Sequence, residues 1–158
     1  MVTKRPRVYA DTSVFGGVFD EEYEGASRTF FDQCRTGRFE LVLSALIGDE
    51  IEGAPENVYK FFRSVVEDTE ILAPTQNAVR LRDAYLKAEI VGRGSATDAL
   101  HVASATTAGC AIIVSWNFRH IVHYEKIALY NAINVREGYS AIAIHSPHEV
   151  IGYEDQDI

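Results

Sequence analysis

Two apolar runs late in the chain, residues 111–115 (Ala-Ile-Ile-Val-Ser) and 141–145 (Ala-Ile-Ala-Ile-His), lack the polar–apolar alternation of a strand with one face in water. Such strands must be covered on both faces, as in a parallel sheet between two layers of helices. The rest of the chain supplies those helices. Apolar positions recur at helical spacing over residues 26–36 (Ala26, Phe30, Phe31, Cys34), 57–67 (Val58, Phe61, Phe62, Val65) and 75–91 (Ala78, Leu81, Tyr85, Ala88). Further helices are predicted over 45–53, stopping before Pro55; from Ser95 or Thr97 to about 108, capped by Gly109; and over 124–133. Strand-like runs stand between them at 7–11, 39–44 and 70–72. This alternation predicts a three-layer α/β/α sandwich with a central parallel sheet. At 158 residues the chain is expected to form one domain, 1–158, with its core over about 7–150. In such sheets ligands collect beyond the carboxyl ends of the strands, so that edge is where chemistry is sought.

Composition narrows the chemistry. No apolar run reaches the roughly 18 residues that would span a bilayer. The basic start, Met-Val-Thr-Lys-Arg-Pro-Arg, leads into a strand and not into a signal-peptide core, so a cytoplasmic location is expected. The two cysteines, Cys34 and Cys110, lie in no metal-binding or redox spacing and read as free thiols. The net charge of −8 is the wrong sign for holding nucleic acid by bulk electrostatics. A nucleic-acid substrate therefore requires a bound cation to reverse the local field.

Acidic residues gather at the expected edge. Asp11 is the first residue after the first strand; the plain alternative is a helix N-cap. In the helix from Ala45, Leu46, Ile47, Ile51 and Ala54 define an apolar arc at 100° per residue, and Glu50 falls inside it while Asp49 lies at its margin. A carboxylate aimed into a core must be paired or bind a cation. Asp98 lies in the first turn of the alanine-rich helix, on the face of Val102 and Ala105, although a first-turn acid also complements the helix dipole. Ser115 and Asn117 follow the fourth strand, where Asn117 offers a neutral oxygen as a further metal ligand and Ser115 a hydroxyl to orient neighbours, with turn chemistry as the plain reading. Hard oxygen donors without cysteine or histidine favour Mg²⁺ or Mn²⁺ over zinc. Three close carboxylates would repel one another without such an ion, which can also activate water and neutralise a phosphodiester.

At these residues the chain resembles the PIN-domain nucleases, and within them the VapC-like toxins of type II toxin–antitoxin systems. The matching stretches are Asp-Thr-Ser-Val at 11–14, Ser-Ala-Leu-Ile-Gly-Asp-Glu-Ile at 44–51, Thr-Asp-Ala-Leu-His-Val-Ala at 97–103 and Ser-Trp-Asn-Phe-Arg-His-Ile at 115–121. The resemblance implies a PIN-like sheet of strand order 3-2-1-4-5 and a metal-dependent endoribonuclease. It carries Asp11, Glu50 and Asp98 over as the acidic triad. Asn117 stands where a fourth acid is common, which weakens the case for a second tightly held metal. It also implies an RNA substrate, an antitoxin protein that blocks the cleft and a homodimer.

Around the acids, Thr12, Ser13 and Ser115 are candidates to orient carboxylates or water, and Arg119 and His120 to touch phosphate. His101, one turn beyond Asp98, reads chiefly as a satisfied core residue, with a hydrogen bond to Asp98 as the alternative. Two other readings compete. A phosphotransferase working through an aspartyl phosphate would want a second Asp two residues after Asp11, where Ser13 stands. A PIN-like binding module without catalysis is favoured by Asn117 and the net acidity.

Overall fold

A computed structural model describes residues 5–152. The start of the basic N-terminal stretch, residues 1–4, and the tail beyond 152 lie outside it. Five parallel strands form one sheet: β1 (Arg7–Ala10), β2 (Glu40–Ser44), β3 (Glu70–Leu72), β4 (Ile112–Val114) and β5 (Ala143–His145), in the order β3-β2-β1-β4-β5. The predicted order and the all-parallel pairing are what the structure shows. Among the described residues eight α-helices link and cover the strands: α1 (Thr12–Gly17), α2 (Glu24–Arg35), α3 (Ala45–Ile51), α4 (Glu56–Val66), α5 (Gln76–Lys87), α6 (Ala96–Thr107), α7 (Tyr124–Arg136) and α8 (Pro147–Val150).

The period of two along each strand divides the core into two layers. Tyr9, Val42 and Ile113 point to one side and pack with Leu81 and Tyr85 of α5, most of α6 and Tyr130 of α7. Val8, Ala10, Leu43 and Val114 point to the other and pack with Phe15 of α1, Phe30 and Phe31 of α2, Ile47 and Ile51 of α3 and Val58 of α4. Helix α6 runs close against the sheet because its residues are small; Ala99, Val102, Ala103 and Ala105 are all fully buried.

Three elements differ from the sequence expectation. Helices α1 and α8 were not foreseen: α1 holds two glycines in six residues, and α8 is a single turn set by a Ser146–Glu149 capping box. Helix α5 ends at Lys87, short of 91. Glu89 takes a left-handed φ of 59°, and the Ile90 N–H returns to the Tyr85 carbonyl at 3.2 Å. This is a Schellman-type stop, here without glycine, and it turns Ile90 and Val91 into the core. Gly92 and Gly94 thus lie beyond the helix, in and before a 3₁₀ turn at Arg93–Ser95 that leads into α6.

Candidate active site

β1 and β4 lie side by side with Ala10 opposite Val114, so the next residues, Asp11 and Ser115, meet at the carboxyl edge of the sheet. Asp11 occupies the N-cap position of α1, yet its carboxylate does not cap that helix. Instead Ser13 Oγ donates to Asp11 Oδ1 at 2.6 Å and Ser115 Oγ donates to Oδ2 at 2.8 Å. Both hydroxyls are aimed by the chain that leaves β4: the Trp116 N–H donates to Ser13 Oγ at 2.8 Å and the Asn117 N–H to Ser115 Oγ at 2.9 Å. Asp11 is only 4% exposed. Burial pushes its carboxyl above the usual carboxylate range, against the pull of His101 and the two serines; the neighbouring Glu50 charge adds to the rise.

Glu50 corrects an expectation. Ile47 and Ile51 of α3 are buried, but the Glu50 side chain is 36% exposed. The inner arc of this two-turn helix meets the core through its isoleucines, and Thr12 and His101 through Glu50. Two donors converge on one of its oxygens: Thr12 Oγ1 at 2.8 Å and His101 Nε2 at 2.5 Å from Oε1. Burial opposes the Glu50 charge, but His101 and the Thr12 hydroxyl outweigh it and hold the carboxyl below its ordinary range. His101 therefore serves Glu50 and not Asp98, and its other ring nitrogen, Nδ1, lies 2.7 Å from the Tyr9 hydroxyl.

Asp98 sits in the first turn of α6, half-buried, and makes no side-chain hydrogen bond among the described residues. Its charge is felt by the buried Tyr130 hydroxyl, which donates to the His120 carbonyl at 2.8 Å. Asp98 thus flanks the loop after β4, whereas the repulsion visible in the cleft is between Asp11 and Glu50. Among the described residues no group of three or more His, Cys, Asp and Glu side chains is disposed to hold a metal ion.

In the loop after β4, Asn117 Oδ1 accepts from the His120 N–H at 2.9 Å and closes the turn. Arg119 is exposed; His120 is half-buried, with a Nδ1 that has no partner among the described residues. Two contributions lie outside what spacing can show. His101 is the satisfied core residue its sequence suggests, at 1% exposure, but its link to Glu50 spans 51 positions and leaves no local pattern. Trp116 stacks on Tyr23, with centroids 4.1 Å apart and planes 18° apart, and donates from Nε1 to Ser27 Oγ at 2.8 Å, tying the β4 loop to α2. The only signal for it was a lone tryptophan directly after a strand end.

The donor set suits a hard divalent cation. Each Asp11 oxygen accepts one hydroxyl and keeps capacity to accept more. Glu50 Oε2 has no hydrogen-bond donor among the described residues, since both donors fall on Oε1. Mg²⁺ is commonly held by one or two carboxylates, with water and substrate phosphate completing its shell, so two carboxylates without a third suffice for such an ion.

A family model described as PIN domain matches residues 7–119. A comparison with curated proteins gives no match.

Proposed function

Because the chain belongs to the PIN-domain family, a nuclease fold, we propose that it is a Mg²⁺- or Mn²⁺-dependent endoribonuclease that hydrolyses RNA phosphodiester bonds at the carboxyl edge of its sheet. The observation that supports this most is Asp11. It is a buried carboxylate that caps nothing, keeps unused accepting capacity on both oxygens and faces a second acid. A structural role accounts for none of these; a cation in the cleft accounts for all of them.

Asp11 and Glu50 are assigned to hold the ion directly, with Asp98 completing the acidic set from the rim. When bound, such an ion lowers the pKa of a coordinated water and offsets charge on the scissile phosphate. The serines at 13 and 115 fix the Asp11 plane, and Thr12 fixes Glu50. Arg119, exposed on the loop after β4, is assigned to backbone phosphates with His120 beside it. Asn117 holds the turn that presents them. The finer reading is a single-domain, cytoplasmic VapC-like toxin, a homodimer whose cleft is covered by an antitoxin.

The test is incubation of the protein with single-stranded and structured RNA in Mn²⁺, Mg²⁺ or EDTA, beside Asp11→Asn. Changing groups that merely hydrogen-bond a metal's ligands costs about 10–100-fold, so loss of a direct ligand is expected to cost more than about 100-fold. Cleavage that persists in EDTA or in Asp11→Asn would overturn the proposal. A second reading, a binding module with little or no catalysis, draws on the lack, among the described residues, of three His, Cys, Asp or Glu side chains grouped to hold a metal and on Asn117 in the place of a fourth acid. RNA binding without cleavage by the wild type in Mn²⁺ would select it.

A further inference from the structure

We infer that His101 is a positioning residue that decides which oxygen of Glu50 faces the cleft, and that Tyr9 in turn fixes His101; the inference rests on the metal site proposed above. Tyr9 and His101 are almost wholly buried, at 0% and 1% exposure. The Tyr9 hydroxyl lies 2.7 Å from Nδ1 of His101, and the two rings meet edge to face at 5.8 Å and 61°. A carboxylate only accepts, so Glu50 requires the ring hydrogen on Nε2 and leaves Nδ1 to accept the Tyr9 proton, with Ser44 as the other side-chain partner of that hydroxyl. Burial also raises Tyr9 far above the ordinary tyrosine range, so the proton stays. His101 Nε2 stands 2.5 Å from Glu50 Oε1.

Thr12 Oγ1 donates to the same oxygen. Glu50 therefore presents one oxygen tied twice and one oxygen with no donor among the described residues. Each tie comes from a different element: Thr12 from α1, His101 from α6, with Tyr9 from β1 behind it, while Glu50 itself rides on α3. A half-exposed glutamate on a seven-residue helix would otherwise sample many rotamers and lose that freedom on gripping an ion. A buried histidine with only a structural need would be served by any acceptor. Here the acceptor is Glu50, the acid whose charge acts on Asp11.

The experiment measures Mn²⁺ affinity of the full chain by calorimetric titration for wild type, Asp11→Asn, His101→Leu, His101→Gln and Tyr9→Phe, with a melting curve for each. His101→Leu is expected to weaken Mn²⁺ about 10–100-fold. His101→Gln, whose amide still offers a donor to Oε1, is expected to recover most of that loss, and Tyr9→Phe to give a smaller one. A folded His101→Leu that binds within about twofold of wild type, well short of that range, would overturn the inference while leaving the metal site intact, provided Asp11→Asn abolishes binding. Wild type that binds no Mn²⁺ would remove both. Should His101→Leu fail to fold, ring ¹⁵N–¹H spectra of the wild type decide. The hydrogen is expected on Nε2 of His101, with a resonance that shifts as Mg²⁺ is added; a hydrogen on Nδ1, or no shift, overturns the inference.

Discussion

Two serine hydroxyls replace the water that an aspartate would normally keep, and they do so incompletely: the Asp11 carboxyl is pushed upward by burial and by Glu50. A carboxyl raised in the folded state costs no stability below its unfolded value of about 3.9, and its cost grows as pH rises through the folded value. Glu50, held below its ordinary range, works the other way: its contribution is present above about 4.3 and is lost as pH falls through its lowered value. In EDTA, Asp11→Asn is therefore expected to melt no lower than wild type at pH 8, with its relative advantage shrinking toward pH 4. Melting curves at the two pH values check this, and an advantage that grows on acidification would refute it. At this scale the sequence was half legible. That an acid follows the first strand is local information. That Glu50 would lie on an inner arc could be read from helical spacing, but not that the arc opens on a cleft there. Which partner His101 holds depends on how α6 lies against α3, and no spacing encodes that.

Among the elements, α1 was the least legible because its six residues include Gly16 and Gly17, which lower helix propensity without marking what requires them. The structure separates the two. A Cβ on Gly17 would lie 2.6 Å from both Ser27 Oγ and Trp116 Nε1, against the hydrogen bond that joins them, whereas a Cβ on Gly16 meets nothing within 4 Å. Gly17→Ala is expected to cost about 1–3 kcal/mol by forcing the indole aside. Gly16→Ala is expected to be neutral or to gain up to about 1 kcal/mol. Urea denaturation of the pair distinguishes crowding at Trp116 from a general intolerance of α1. The longer helices were readable because each presents an apolar stripe to one layer of the core. Their ends were less so: the stop of α5 depends on Glu89 accepting a left-handed conformation that sequence assigns to glycine.

On the scale of the whole molecule, an ion held at Asp11 and Glu50 as proposed would make stability and cation binding one equilibrium in a chain of net charge −8. At 100 times its dissociation constant, a ligand of the folded state adds about 2.7 kcal/mol. For a chain of this size that is a rise of roughly 5–10 °C in melting temperature. Mn²⁺ is expected to produce such a shift in wild type and none in Asp11→Asn, as scanning fluorimetry would show; equal shifts in both would place the ion elsewhere. The sheet order belongs to this scale too. It was legible only through resemblance, since periodicity tells that strands are buried on both faces but not which strand neighbours which. Among the described residues no helix is long and apolar enough to cross a membrane.

The strand order also dictates a calendar for synthesis. β1 is made first, yet one of its two neighbours, β4, begins at Ile112, and the hydroxyl of Ser115 that holds Asp11 comes 104 positions after it. Until residues 112–117 have emerged from the ribosome, Asp11, Glu50 and Asp98 can all be outside it while β4 and the turn that aims both serines are not. The Asp11 carboxylate gains its Ser115 hydroxyl only after that point.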